Sequence, residues 1–405
     1  MSQQGKNIAV GNDLKQRVEE IHRMFRDEFG ADPEVTVQAP GRVNLIGGHT
    51  DYNDGFVFPI AIERGVMICG RRRADRRLLM HQPAIGGSAE GSLDRIERDA
   101  AHPWANYILG VARELLTLGH SLCGAELTVA GTVPIAAGLS SSAAMEVATA
   151  TFFEALCGLE IEPVEVARLC QRAENHFVGM NCGILDQFIS TLGTEGHALM
   201  LDCRSLEYRH VPFDDPRLRV VVADTGVPRA LVSSPYNTRR AECEQAARLL
   251  ETLLGKPVKA LRDVSLDELR TVEAELPEPL RLRCRHVVTE NARVLEGVTA
   301  VERGDLKRFG TLFNESHASL RDNYEVSCDE LNLMADLLRG QDGALGARMS
   351  GAGFGGCAVG LLQGLDEEGI ETACRRVATR YRERTGLEPN VFTTQAASGA
   401  GVVNP

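Results

Sequence analysis

Residues 35–55 constrain this chain more than any other stretch. Val35-Thr36-Val37-Gln38-Ala39 alternates like a strand and stops at Pro40. The next fifteen residues, Gly41 to Gly55, place Arg42, Asn44, His49, Asp51 and Asn53 among four glycines. A strand that ends in glycines and ionisable groups is how a rigid scaffold presents polar side chains to a ligand. Val43, Leu45 and Ile46 anchor the segment inward, so its polar residues are expected to line a pocket.

At 405 residues the chain has room for two or three domains of roughly 150 residues. Its 43% hydrophobic and 25% charged content is that of a soluble globular protein. A formal net charge of −12 argues against nucleic acid or a membrane surface as partner. An anionic ligand therefore needs a local basic or helix-dipole site. No stretch approaches the ~18 apolar residues of a membrane span, and Met1-Ser2-Gln3-Gln4-Gly5-Lys6 has no apolar signal-peptide core. Eleven cysteines at scattered spacings, with no CxxC pair, predict reduced thiols in a cytoplasm.

Helical spacing of Leu14, Val18, Ile21 and Phe25 predicts a helix over 13–29, stopped by Gly30. Strands are expected at 35–39, 56–62, 65–69 and 76–80, then a polar loop at 86–92. A helix at 104–119, a strand at 125–130, a Ser-capped helix at about 140–157 and one starting at Pro163 follow. The second half predicts a strand at 218–223 and helices near 235–254, 277–303, 305–320 and 328–339, the last announced by a capping box, Ser327-x-x-Glu330. A Gly-rich stretch at 350–356, a strand at 357–362, a helix at 366–385 and a strand near 391–395 complete the pattern. Strands and helices mix without βα alternation, so the fold class is α+β. Two domains are expected, 1–215 and 216–405.

Neither GxxxxGK[ST] nor HRDLxxxxN occurs, so a P-loop and a protein-kinase loop are excluded. Instead, Pro134-Ile135-Ala136-Ala137-Gly138-Leu139-Ser140-Ser141-Ser142-Ala143-Ala144 runs a tight turn and three serines into a helix start. Unpaired N–H groups and the dipole favour an anion there, which makes this a triphosphate cradle in prospect. Gly351, Gly353 and Gly356 form a formal GxGxxG, but a strand pattern rather than a helix follows, so a dinucleotide site is excluded on context.

These motifs together resemble the galactokinases. Their sugar signature GRVNLIGEHTDYN matches GRVNLIGGHTDYN here. The 134–144 stretch matches the second signature of the superfamily that also holds homoserine, mevalonate and phosphomevalonate kinases, and Arg348–Cys357 resembles its third. Ala173–Gly179, Cys182–Phe188, the Tyr236 segment and Ser316–Ser327 extend the resemblance over essentially the full chain.

The resemblance implies a ribosomal-S5-like N-terminal domain, a ferredoxin-like C-terminal domain and an active site between them. It implies an ATP- and Mg²⁺-dependent sugar 1-kinase, with Asp186 as base and Arg42 beside it. Ser142 and Glu174 would hold Mg²⁺. Sugar contacts are implied at position 48 and at His49, Thr50, Asp51, Gly183 and Tyr236. ATP contacts are implied at Ala136, Ala137, Gly138, Leu139, Ser140, Ser141, Ser142 and Trp104. Whether Asp186 takes the proton or only orients the hydroxyl is left open. No nucleic-acid or membrane partner is expected, and the enzyme is read as a monomer.

Gly48 departs from the family, which carries a sugar-contacting Glu there. Losing a hydrogen bond to a charged acceptor costs roughly 1.5–3 kcal/mol, so galactose is expected to bind less tightly than is usual for the family. L-Arabinose, which lacks C6, and D-galacturonate, with a carboxylate there, are the alternative acceptors. A catalytically silent sugar sensor is the alternative of another class, but Ser140–Ser142, Glu174 and Asp186 are all intact.

Overall fold

Two sheets organise the chain. In the computed structural model, which describes residues 13–85, 87–134, 137–227 and 233–403, helix α1 (Leu14–Phe29) leads into β1 (Val35–Ile46), β2 (Phe56–Arg73), β3 (Arg77–Gln82) and β4 (Gly87–Ser92). Helix α2 (Ala105–Thr117) and strand β5 (Gly124–Gly131) precede α3 (Ser141–Cys157), α4 (Pro163–Arg172) and α5 (Leu185–Leu192). A hairpin of β6 (His197–Asp202) and β7 (Tyr208–Pro212) follows. Next come β8 (Leu218–Asp224), α6 (Ser233–Leu254), α7 (Leu266–Val272), α8 (Leu280–Glu302), α9 (Leu306–Asp322) and α10 (Asp329–Arg339). Strands β9 (Ala344–Ser350) and β10 (Cys357–Gln363), helix α11 (Glu367–Thr385), β11 (Asn390–Thr394) and β12 (Gly401–Val402) end the chain.

The first sheet has the order β12-β1-β2-β5-β3-β4, with the β6–β7 hairpin joined to the start of β2. All its pairings are antiparallel except β3 with β5. The second is an antiparallel four-stranded sheet, β11-β8-β10-β9. The fold is α+β, as expected. Among the described residues no helix is long and apolar enough to cross a membrane.

Several local expectations change. The strands expected at 56–62 and 65–69 are one continuous β2, because Gly65 lets the strand run tightly past β1; a Cβ there would sit 2.3 Å from the Ala39 carbonyl oxygen. The polar loop expected at 86–92 is strand β4, paired to β3 from Arg77↔Ser92 to Gln82↔Gly87, with Ala89 its one buried residue. The capping box at Ser327 does not form. Cys328 is the N-cap of α10, and the Ser327 hydroxyl donates to Asn332 Oδ1 at 2.8 Å. A capping box does form at Ser265 and Glu268 on α7, where none was foreseen. The tail also departs from the expected 216–405 domain. Residues Gly401 and Val402 pair with β1, so this segment belongs to the first sheet.

One core lies between the first sheet and α2–α4, built on residues such as Ile68, Leu127, Val147 and Phe152. A second fuses the two sheets. Leu45 and Phe58 of the first meet Val222 and Val359 of the second, beneath Phe309 and Phe313 of α9. The loops after β1 and β5, the turn before α5 and the β9–β10 loop open above this seam into one cleft.

Candidate active site

The cleft is a cavity of about 670 Å³. It is lined by Arg42, Gly48, His49, Asp51, Trp104, Gly138, Ser140, Ser141, Ser142, Glu174, Gly183, Asp186 and Tyr236, and by Gly351 and Gly353 of the β9–β10 loop. Motifs far apart in sequence thus converge. A groove of about 950 Å³ beside Arg64 and Phe392 holds none of them.

Asp186 is the best-held carboxylate in the cleft. It lies in the first turn of α5, where the dipole favours an anion. Arg42 grips it bidentately, Nε to Oδ1 at 2.7 Å and Nη2 to Oδ2 at 3.0 Å. The third Arg42 donor, Nη1, goes to the Gly138 carbonyl at 2.7 Å. Ser140 Oγ adds a 2.5 Å hydrogen bond to Asp186 Oδ2. One guanidinium therefore fixes β1, the turn before α3 and the acid in a single geometry, with Asp186 still 28% accessible towards the cavity. A carboxylate so held is fixed in one orientation, with its remaining lone pairs turned to the cavity.

The serines do not cap α3 as expected. Ser140 is the N-cap, but at φ +60° its hydroxyl is turned to Asp186 and makes no capping bond. Gly138, Ser141 and Ser142 line the cavity. The Ala137 and Leu139 side chains are instead packed in the second core, so only their backbone could serve a nucleotide. Ala136 lies outside the described residues. Trp104 is the N-cap of α2 and borders the cleft.

Glu174 was expected late on the helix from Pro163. That helix ends at Arg172, and Glu174 sits in a π-helical turn, Ala173–Val178, of the kind that collects at functional sites. Gln187 Nε2 bridges Glu174 Oε2 at 2.7 Å and Glu146 Oε2 at 2.9 Å, and Cys182 Sγ donates to Glu174 at 3.2 Å. Burial pushes Glu174 up from the ordinary carboxylate range and raises Glu146 further; repulsion from Asp186 adds to the first and from Glu174 to the second. Sequence reading missed Glu146 and Gln187. Gln187 directly follows Asp186, and Glu146 sits alone in the apolar run of α3.

At the end of the cleft formed by the loop after β1, His49 holds φ +62°, and its Nδ1 bonds Tyr52 Oη at 2.8 Å. Tyr52 Oη bonds Tyr324 Oη, also at 2.8 Å. Burial lowers His49 to about 3, so the imidazole is neutral. Burial, then Asp186, raises Asp51 to about 6. Tyr236 packs edge-on against Tyr52 with ring centroids 5.2 Å apart. Thr50 is a correction: it is fully buried, its hydroxyl donating to the Gly47 and Phe56 carbonyls, and it staples the loop without facing the cavity.

The oxygen donors beside the start of α3 suit a hard cation. Glu174 and Ser142 offer oxygen, and Glu174 has hydrogen-bond partners but, among the described residues, no ion-pair partner. Among the described residues no three His, Cys, Asp or Glu side chains could hold a metal by themselves. A cation here would take its other ligands from phosphate or water.

Comparison with known proteins fits this geometry. Residues 106–194 match the model for GHMP kinases N terminal domain, 23–72 the galactokinase galactose-binding signature, and 298–383 the GHMP kinases C terminal model. The galactokinase of Roseiflexus sp. (strain RS-1) is 47% identical over 384 residues, 95% of this chain and 97% of its own. That of Chloroflexus aggregans (strain MD-66 / DSM 9485) is 45% identical over 94% and 96%. The crystal structure of Lactococcus lactis galactokinase complexed with galactose superposes with a TM-score of 0.90 at 36% identity, covering 95% of this chain and 99% of that one. The mevalonate kinase of Methanococcus jannaschii, at 17% identity and TM-score 0.62, shares the fold.

Proposed function

The chain belongs to the galactokinase family and is a sugar kinase, and on that premise we propose that it phosphorylates the anomeric hydroxyl of D-galactose with ATP, using Asp186 as base. The observation that carries the assignment of roles is the Arg42–Asp186–Ser140 clamp, which holds one carboxylate in a fixed orientation, open to the cavity beside the turn before α3.

In this reading Asp51 and Tyr236 hold the sugar ring so that its anomeric hydroxyl reaches Asp186. The hydroxyl proton passes to an Asp186 oxygen as the sugar oxygen bonds to the γ-phosphorus and the bond from that phosphorus to the bridging oxygen breaks, releasing ADP. Arg42 holds that carboxylate in place for the transfer. Amide groups of the turn at Gly138 and of the α3 N-terminus face the phosphates. Mg²⁺ would be held by Glu174 and Ser142 and, when bound, neutralises charge on the β- and γ-phosphates. We also propose a cytoplasmic monomer; sedimentation tests the oligomeric part.

A second reading, an acceptor altered at C6, is favoured by Gly48. That position supplies no carboxylate, and behind it lies the buried Arg348 guanidinium. The deciding assay is ATP- and Mg²⁺-dependent turnover of D-galactose, L-arabinose, D-galacturonate and D-glucose. Turnover of none of the first three would sink both readings.

A further inference from the structure

None of the eleven cysteines is in a disulfide, yet two of them are in contact. Cys123 Sγ and Cys157 Sγ lie 3.2 Å apart, and the Cys123 amide donates to Cys157 Sγ at 3.4 Å. Both are only partly buried, so a small oxidant can reach them. Their place in the fold is specific. Cys123 immediately precedes β5, and Cys157 is the last residue of α3. Strand β5 runs towards the phosphate turn and α3 runs away from it. Eight strand residues at ~3.4 Å each and seventeen helical residues at ~1.5 Å each span nearly equal lengths. The arms therefore end level, and the thiols meet at the end remote from the nucleotide.

We propose that Cys123 and Cys157 are a redox-modification site: oxidation by a peroxide joins them in an intrachain disulfide that locks the β5–turn–α3 unit. Sulfurs 3.2 Å apart need to close by only about 1 Å to reach a bond of ~2.05 Å, which side-chain rotation supplies. Gly158, in the left-handed conformation at φ +68°, ends the helix directly after Cys157, and its amide bonds Glu154 O. Gly124 is pressed against the turn between β2 and β3, where a Cβ would meet the Asp75 carbonyl oxygen at 2.1 Å. The two backbones that carry the thiols are thus held in place.

The chemistry balances. The Cys123 amide points its N–H at Cys157 Sγ, whereas burial and the bond to Cys157 push the Cys123 thiol up to about 12, so Cys123 is the one that keeps its proton. Cys157 is therefore the attacking sulfur. It displaces hydroxide from hydrogen peroxide and becomes a sulfenic acid. The Cys123 sulfur then attacks Cys157 Sγ, loses its proton and releases water. Two thiols give up two electrons, one peroxide becomes two waters, and one S–S bond forms. Cross-linking the arms restricts the unfolded chain around the whole phosphate turn and leaves the native cleft as it is. The inference does not depend on the sugar.

The test treats the full chain with hydrogen peroxide, alkylates the remaining thiols and maps peptides without reduction. The expected result is one linked peptide pair containing Cys123 and Cys157. It comes with a Tm higher by a few degrees, kcat within twofold of the reduced enzyme, and reversal of both changes by dithiothreitol. Cys123→Ser and Cys157→Ser should abolish the link and the Tm gain; if either variant fails to fold, the wild-type map alone decides. Recovery of Cys157 as an unlinked sulfenic or sulfinic acid, or linked to any other cysteine, overturns the proposal. A correct link with no gain in Tm overturns the locking.

Discussion

The Cβ that any other residue would bring to Gly48 falls 2.7 Å from Arg348 Nη2, with the Leu320 methyl carbons 3.2 and 3.3 Å away. Arg348 is 1% exposed; Nη1 donates to the Leu45 carbonyl at 2.8 Å, and Nε has no partner among the described residues. Glu290, the acid whose charge acts on it, is engaged by Arg293 at 2.7 Å and by the amides of Gly47 and Gly48. Burial lowers the guanidinium to about 10. A cation without its own carboxylate thus stands one glycine away from the sugar cavity.

Gly48→Glu tests what that arrangement selects. The new carboxylate should raise kcat/KM for galactose roughly tenfold, the value of a charge-assisted hydrogen bond. It should also suppress galacturonate, by like-charge repulsion. Gly48→Ala separates the steric part: it crowds Arg348 at an overpacking cost of about 1–3 kcal/mol and gains no affinity. Unchanged ratios for both sugars in Gly48→Glu would place the C6 subsite elsewhere.

Asp186→Asn should lose about 10²–10⁴-fold in kcat while nucleotide binding, followed by titration calorimetry, survives. Ser140→Ala keeps the same Cβ at φ +60° and removes only the hydroxyl on Asp186. It should cost a smaller factor, about tenfold. More than a tenth of kcat left in Asp186→Asn would refute the base and leave only a positioning role.

Much of this site could be read from the sequence, for a physical reason. Arg42, Asp51, Ser142 and Asp186 sit in short stretches where glycines and polar groups interrupt apolar runs, and such interruptions need a function. The missed elements carry no such signal. Strands β6 and β7 are short and hold His197, Tyr208, Arg209 and His210, so no apolar alternation marks them. In β4 only Ala89 is buried, and its small residues look like a loop. Glu146 looks like a stray surface acid until the fold surrounds it with α3's neighbours and leaves it 0% exposed. Ser327 fits a capping box by spacing, yet Asn332 offers its hydroxyl a better partner than the helix end. Tertiary contacts override local rules in each case.

Asp51 sets a pH dependence. Its folded-state value, raised to about 6 by burial and then by Asp186, lies above the ordinary 3.8. In the sugar-free protein its contribution to stability is therefore full below pH ~4 and is lost as pH rises through about 6. Sugar binding needs the ionised form, which accepts ring hydroxyls. The sugar KM should rise as pH falls below about 6 while the nucleotide KM stays flat. Asp51→Asn should bind sugar weakly with no such slope.

The phosphate end should respond to metal. Ser142→Ala and Glu174→Ala are expected to raise the Mg²⁺ requirement far more than the sugar KM. Glu146→Leu removes the acid that holds Gln187 against Glu174, and should weaken Mg²⁺ by about 10–100-fold, the usual effect of losing an outer-shell partner. Glu146→Gln, neutral like the protonated acid, should restore most of it. Direct Mg²⁺ titration without sugar reads all four variants, and four unaltered curves would reject the metal assignment.

Gly183 and Asp51 supply the sharpest test of the sugar side. A Cβ on Gly183 would lie 1.8 Å from Asp51 Oδ2, far inside contact distance, so alanine and the present carboxylate position cannot coexist. Asp51 is the end that must yield, because it lies on a short helical turn after a loop that Thr50 staples. Gly183→Ala should therefore mimic Asp51→Ala: a sugar KM at least tenfold higher, from a lost hydrogen bond to a charged group, with nucleotide affinity unchanged. The double variant decides between this contact and a general loosening of the loop. If Gly183→Ala acts only by displacing Asp51, adding it to Asp51→Ala costs nothing more, and the two effects are fully non-additive. Additive losses in sugar KM would mean that Gly183 shapes the pocket by itself.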